Sequence, residues 1–196
     1  MTRILTLLGA VMLTLAAVAA PLTLTSPDGH LTLTTGVDKG KPYYTLSRDG
    51  VTVLAPSHLG FMLTNGDMAS GMKLVRTMRD SDDVTWTTVW GEDETIRNHY
   101  NELAVTLQGG KPRAQMVVTF RLFDDGLGFR YEIPEQRGLP DITVTDELTE
   151  FTLPGDVPAW SIPTNRTIYY ENLYERDLLS RKATVHTPLT IEAAPD

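Results

Sequence analysis

The sequence predicts an all-β protein, a large antiparallel β-sandwich. Three observations predict it. Apolar residues recur at every second position in short runs, as in Leu22/Leu24, Leu31/Leu33, Leu103/Val105/Leu107 and Met116/Val118/Phe120/Leu122. That is the signature of strands with one buried face. Hairpin signals such as Asp49-Gly50 and Asp124-Asp125-Gly126 separate the runs; Asp-Gly suits turns that need positive φ. Many of the 15 Gly and 12 Pro fall at such punctuation points, as the turn chemistry of a strand-rich chain requires.

From Pro21 the elements follow in order. Leu22–Thr25 and Leu31–Thr34 read as a hairpin around Pro27-Asp28-Gly29. After Lys39-Gly40-Lys41-Pro42, Tyr44 and Leu46 continue on one side of a third run, and Val51–Leu54 returns from Asp49-Gly50, with Pro56 ending it. Leu59–Leu63 is apolar and Asn65-Gly66 turns it. Asp67–Gly71 is small and polar, Met72–Met78 suits a strand or one helical turn, and Asp80-Ser81-Asp82-Asp83 reads as a solvated acidic loop. Three aspartates suit a hard cation, but no glycine marks a loop centre and the spacing is not that of an EF-hand. Trp86 to Glu102 reads as a tryptophan-anchored irregular loop, and Leu103–Leu107, Met116–Leu122 and Leu127–Ile133 as strands. Gly128 among large residues suggests a bulge or a close backbone approach. Beyond Pro134, Ile142–Thr145, Glu150–Leu153 and Pro188–Glu192 are short strand candidates.

Composition bounds the function. The 196 residues suit one domain with a sizeable core. A net charge of −8 argues against nucleic acid, since binding phosphates needs a basic surface. No run of Lys or Arg suggests an anionic membrane. Cysteine is absent, which excludes disulfides, thiolate metal sites and a thiol nucleophile. Residues 1–19 read as a cleavable signal peptide: Arg3, an apolar Ile4–Ala16, then Ala17-Val18-Ala19 as cleavage site. That segment is short for a bilayer span of about 20 apolar residues. The mature chain, 20–196, is then periplasmic or secreted and not membrane-inserted, and it has no lipoprotein cysteine.

One stretch gathers candidate binding residues. Trp90, Glu92, Arg97, Asn98, Tyr100 and Glu102 interleave aromatics with carboxylates and amides. Sugar hydroxyls take carboxylates and amides, and a sugar's apolar face takes an aromatic platform. The structural alternative puts Trp86 and Trp90 in the core and pairs Arg97 with Glu92 or Glu102 to pin the loop. A second aromatic–carboxylate cluster comprises Trp160, Tyr169, Tyr170 and Tyr174 with Glu171 and Glu175. His99 with Glu102 or Glu171 is the pair an epimerase acting at a sugar C1 would need. GxSxG, HExxH, Walker A and GxGxxG are all absent. Asn165-Arg166-Thr167 is a glycosylation sequon, of little weight beside a bacterial-type export signal.

Ser26-Pro27-Asp28-Gly29, Lys41-Pro42-Tyr43-Tyr44, Val89-Trp90-Gly91-Glu92, Ile96–Leu103, Phe120–Gly126, Phe129-Arg130-Tyr131, Glu147–Phe151, Trp160–Pro163 and His186–Thr190 follow one another in a characteristic order. Together they resemble the N-terminal domain of glycoside hydrolase family 97, which includes periplasmic α-glucosidases and α-galactosidases of Bacteroides-type bacteria. The resemblance covers nearly all of 22–192. It implies a sandwich similar to galactose mutarotase that packs in cis on a catalytic (β/α)8 barrel and serves α-linked oligosaccharide substrates. It implies catalytic carboxylates on the barrel, and calcium in the full-length enzyme held mainly by barrel glutamates. One more calcium ligand is expected from a His-Glu-Ala-Ala-like strand beginning beyond Asp196. The chain is then an incomplete sandwich, with no catalytic residue, metal ligand or cofactor of its own, and residues 20–196 alone are expected to be inactive and poorly soluble or partly folded. The alternative function is a free-standing carbohydrate-binding module. Glucoside or galactoside specificity, and inversion or retention, stay open.

Overall fold

The computed structural model describes residues 20–137, 139, 141–164 and 171–192. The signal-peptide reading of 1–19, the sequon at 165–167, and Tyr169 and Tyr170 lie outside them. The strands, in chain order, are β1 (Leu22–Thr25), β2 (Leu31–Asp38), β3 (Lys41–Arg48), β4 (Val51–His58), β5 (Phe61–Leu63), β6 (Gly66–Asp67) and β7 (Lys73–Thr87). They continue as β8 (Thr95–Gly109), β9 (Ala114–Leu122), β10 (Leu127–Glu132), β11 (Val144–Glu147), β12 (Pro158–Ser161), β13 (Glu175–Leu178) and β14 (Thr190–Ile191). One 3-10 turn, Leu179–Arg181, precedes β14. Among the described residues there is no α-helix, and the strand pairs are antiparallel.

Two four-stranded sheets, β1-β2-β3-β4 and β10-β9-β8-β7, form the sandwich. Leu24, Leu31, Leu33, Tyr44 and Leu46 of the first share one core with Leu103, Val105, Leu107, Met116, Val118, Phe120 and Leu122 of the second. Strict alternation puts them there: the odd residues of β2 and β8 point inward and the residues between them outward. Tyr44 is central, with Phe129 at 5.4 Å and Phe120 at 6.2 Å between ring centroids. Its hydroxyl donates to the Glu150 carbonyl at 2.8 Å, so the polar end of a buried ring is satisfied. Burial pushes the phenol up to about 12.

Several expectations change. Asp80–Asp83 is not a loop but the middle of β7, paired rung by rung with Glu102–His99 of β8. Most of β7 is exposed on both faces, so alternation is missing and backbone pairing alone defines the strand. The irregular loop shrinks to residues 88–94, because β8 already begins at Thr95. Pro56 does not end β4, which runs on to His58. Pro56 falls where the β3–β4 ladder shifts register, between Tyr44↔Ser57 and Leu46↔Leu54, and a bulge tolerates a residue without an N–H. Gly128 sits in regular register opposite Arg121, with no close neighbour. Close approaches occur instead at Gly60, Gly66, Gly109 and Gly110; at Gly66 and Gly110 an added Cβ would meet Lys111 O at 2.0 Å and Asp67 O at 2.3 Å. Glu150–Leu153 forms no strand of its own, yet it hydrogen-bonds to β4: Glu150 N donates to His58 O at 3.0 Å and Ala55 N to Thr152 O at 2.8 Å. The strand expected at Ile142–Thr145 is displaced to β11, which pairs with β5.

Candidate functional site

The cluster at 90–102 is distributed along β8 and its preceding turn. β8 keeps one register with β9 and, outward from Arg76, with β7. Leu103, Val105 and Leu107 therefore face the core, while Asn98, Tyr100 and Glu102 share the outer face. Arg97 and His99 lie on the opposite face. Trp90 and Glu92 sit in the turn beyond Thr95, seven residues or about 23 Å of strand from Glu102. Six residues close in sequence are thus spread over two faces and a tip, not gathered into one pocket.

Tyr100 and Glu102 are brought together through β9. Register places Glu102 opposite Arg121, and Arg121 Nε donates to Glu102 Oε2 at 2.7 Å. The guanidinium carbon lies 4.3 Å from the Tyr100 ring centroid, and Phe123 lies 5.5 Å from the same ring. Tyr100 is only 7% exposed as a result. The hydrogen bond to Glu102 raises the Arg121 pKa above its ordinary value. Arg97 pairs with neither Glu92 nor Glu102. It forms a two-pronged bond to Asp83 of β7, 2.7 Å to each oxygen. That bond holds the Asp83 carboxyl below the usual range. Trp86 and Trp90 are not core residues: they are 48% and 89% exposed.

The His99–Glu102 version of the epimerase pair does not form. His99 and Glu102 point to opposite faces of β8, and Glu102 is committed to Arg121. His99 Nδ1 lies instead 3.6 Å from Asp124 Oδ2. In the second cluster, Trp160 Nε1 donates to Glu192 at 2.6 Å and Arg176 binds the same carboxylate with two nitrogens. These bonds pull the Glu192 pKa down to about 2.

One groove, lined by both polar and apolar side chains, is not evident in the sequence. Lys41, His58, Asp67, Glu147, Thr149 and Glu150 line a depression of ≈ 550 Å³ beside β4 and β5. Glu150 Oε2 accepts from the His58 backbone N–H and contacts its Nδ1, both at 2.8 Å. The Glu150 carboxyl titrates below its ordinary value chiefly because of that backbone bond. Thr149 Oγ1 donates to Glu147 at 2.6 Å and meets the Tyr131 hydroxyl at 2.7 Å. The paired residues lie 92 positions apart in His58–Glu150, so only the fold reveals them. Groups of this kind recognise hydroxyls; Glu150 is already committed as an acceptor.

A family model described as glycosyl-hydrolase 97 N-terminal matches residues 24–196. The chain belongs to that family. A glycoside hydrolase family 97 enzyme from Pseudoalteromonas sp. strain K8, solved with panose and with acarbose, is 35% identical with a TM-score of 0.81. The match covers 87% of this chain and 26% of that one. A β-arabinopyranosidase is 27% identical with a TM-score of 0.71, over 79% of this chain. A probable retaining α-galactosidase of Streptomyces bingchenggensis (strain BCW-1) is 34% identical over 116 residues, 59% of this chain and 17% of that protein. The family 97 N-terminal chain therefore spans about a quarter or less of these relatives.

Proposed function

We propose that the chain is the N-terminal β-sandwich of an exported family 97 glycoside hydrolase of α-glucosidase or α-galactosidase type. The sandwich, residues 20–196, packs on a catalytic (β/α)8 barrel in the same polypeptide and helps shape its active site for α-linked oligosaccharides. Residues 1–19 direct export to the periplasm or beyond. The observation that carries this reading is the 35% identity across 87% of the chain to an enzyme solved with panose and acarbose.

Glycoside hydrolysis needs two carboxyl groups poised about a scissile bond. Four of the carboxylates described above are held in ion pairs: Asp83 with Arg97, Glu102 with Arg121, Glu150 with His58 and Glu192 with Arg176. Among the described residues no group of three or more His, Asp or Glu is positioned to hold a metal ion. In this reading the calcium of the full-length enzyme is held mainly by barrel glutamates.

The test is hydrolysis of nitrophenyl α-glucoside and α-galactoside. The complete polypeptide should turn over one of them and residues 20–196 neither; turnover by 20–196 alone would overturn the reading. The exposed Trp86 and Trp90 favour one other reading, a free-standing carbohydrate-binding module. Titration calorimetry of a well-folded sample of 20–196 with maltooligosaccharides and galactosides should be flat, and a binding isotherm would favour the module.

A further inference from the structure

β9 joins β8 only from Asn101 inward. From Asp82↔Tyr100 out to Thr87↔Thr95, β7 and β8 pair only with each other. These six rungs make an arm of about 20 Å. Its tip is closed by Thr88 N to Glu94 O at 2.9 Å and Thr88 Oγ1 to Asp93 O at 2.7 Å. The Arg97–Asp83 bond clamps its stem. The arm is thus built to hold a shape, although two strands alone are marginally stable in water. It presents Val84 and Trp86 on its outer face, and Val89 and Trp90 at its tip, exposed by 45%, 48%, 98% and 89%. Glu92, Asp93 and Glu94 rim the tip. Aromatic anchors with a charged rim are the anatomy of a protein interface.

We infer that this arm is a docking element whose occupant is the catalytic domain of the same polypeptide. The inference rests on the proposed function, to which it adds the contact surface. The solved enzyme it resembles is about four times as long as the matched region, so a large body is available to cover the arm. A second copy fits poorly, because tip-to-tip pairing would oppose two acidic rims within chains of net charge −8.

The test places the photoreactive residue p-benzoylphenylalanine at Val89 in the complete polypeptide encoded by the source gene. The side chain there is almost wholly in solvent, so the fold should tolerate it. Irradiation should cross-link position 89 to peptides following Asp196 within a monomeric band. A dimeric band that grows with concentration, links confined to residues 20–192, no link, or a gene ending at Asp196 would each overturn the inference. Glycosidase assays on the same sample separate the two readings. Activity without the cross-link removes only the docking arm, and the cross-link without activity removes only the hydrolase reading.

Discussion

Glu102 and Arg121 face each other across β8 and β9, and Tyr100 lies beneath the guanidinium. Arg121→Ala removes the charge-assisted bond and uncovers the ring. It should lower stability by about 1–2 kcal/mol, the cost of a charged hydrogen bond reduced for partial exposure. Arg121→Lys should recover only part, because an ammonium cannot both stack and bond as a planar fork does. Urea midpoints of the three proteins decide this, and equal midpoints would show the pair contributes nothing. Glu192 makes a pH prediction. Its folded pKa, about 2, is below its ordinary 4.5 because Arg176 and Trp160 hold the carboxylate. A depressed carboxylate stabilises fully above pH 4.5, and that stabilisation is lost as pH falls toward 2. Carboxyl NMR should show Glu192 titrating near 2 in the native protein and moving up toward 4.5 in Arg176→Ala. A Glu192 that titrates normally in the native protein would contradict the bidentate geometry.

At the scale of elements, glycines separate two kinds of turn. Gly50 has φ +82° with open space around it, whereas Gly66, at φ +154°, would drive a Cβ to 2.0 Å from Lys111 O. That carbonyl accepts from Asp67 N, and Lys111 N donates back to Asp67 O. The β5–β6 turn is therefore wedged against the turn after β8 and cannot retreat without breaking two backbone bonds. Gly50→Ala should cost about 1 kcal/mol, a conformational term only. Gly66→Ala should cost more than about 3 kcal/mol. Thermal melts of the two variants give the comparison, and similar losses would mean the close approach is not real. Both glycines were legible as turn residues, but their very different constraint was not, because the obstacle at Gly66 comes from a residue 45 positions away. β7 shows the reverse case. Its pairing partner is close in sequence, but exposure on both faces erases the alternation that would have announced it.

For the whole molecule, the two sheets meet over Tyr44, Phe120 and Phe129. Phe120 is fully buried, and Phe120→Ala should cost about 3–5 kcal/mol through lost transfer energy and a residual cavity. A loss below 1 kcal/mol in denaturant unfolding would show that the sheets do not share one core. Val89→Ser, at the tip of the arm, should by contrast leave the isolated sandwich within about 0.5 kcal/mol of the parent.

The all-β class, the β2, β8 and β9 core residues and the family all follow from the sequence, because alternation and turn chemistry are local properties of the chain and because ordered motifs survive as text. The location of the candidate groups is different in kind. Which face of β8 carries Tyr100 and Glu102, that Arg97 meets Asp83 and Glu102 meets Arg121, and that Glu150 reaches His58 depend on register and on pairs up to 92 residues apart. A run such as Arg97-Asn98-His99-Tyr100-Asn101-Glu102 looks like one cluster when written as a line. In a strand, successive side chains point to opposite faces and each residue advances about 3.3 Å, so tertiary structure divides that cluster between two surfaces.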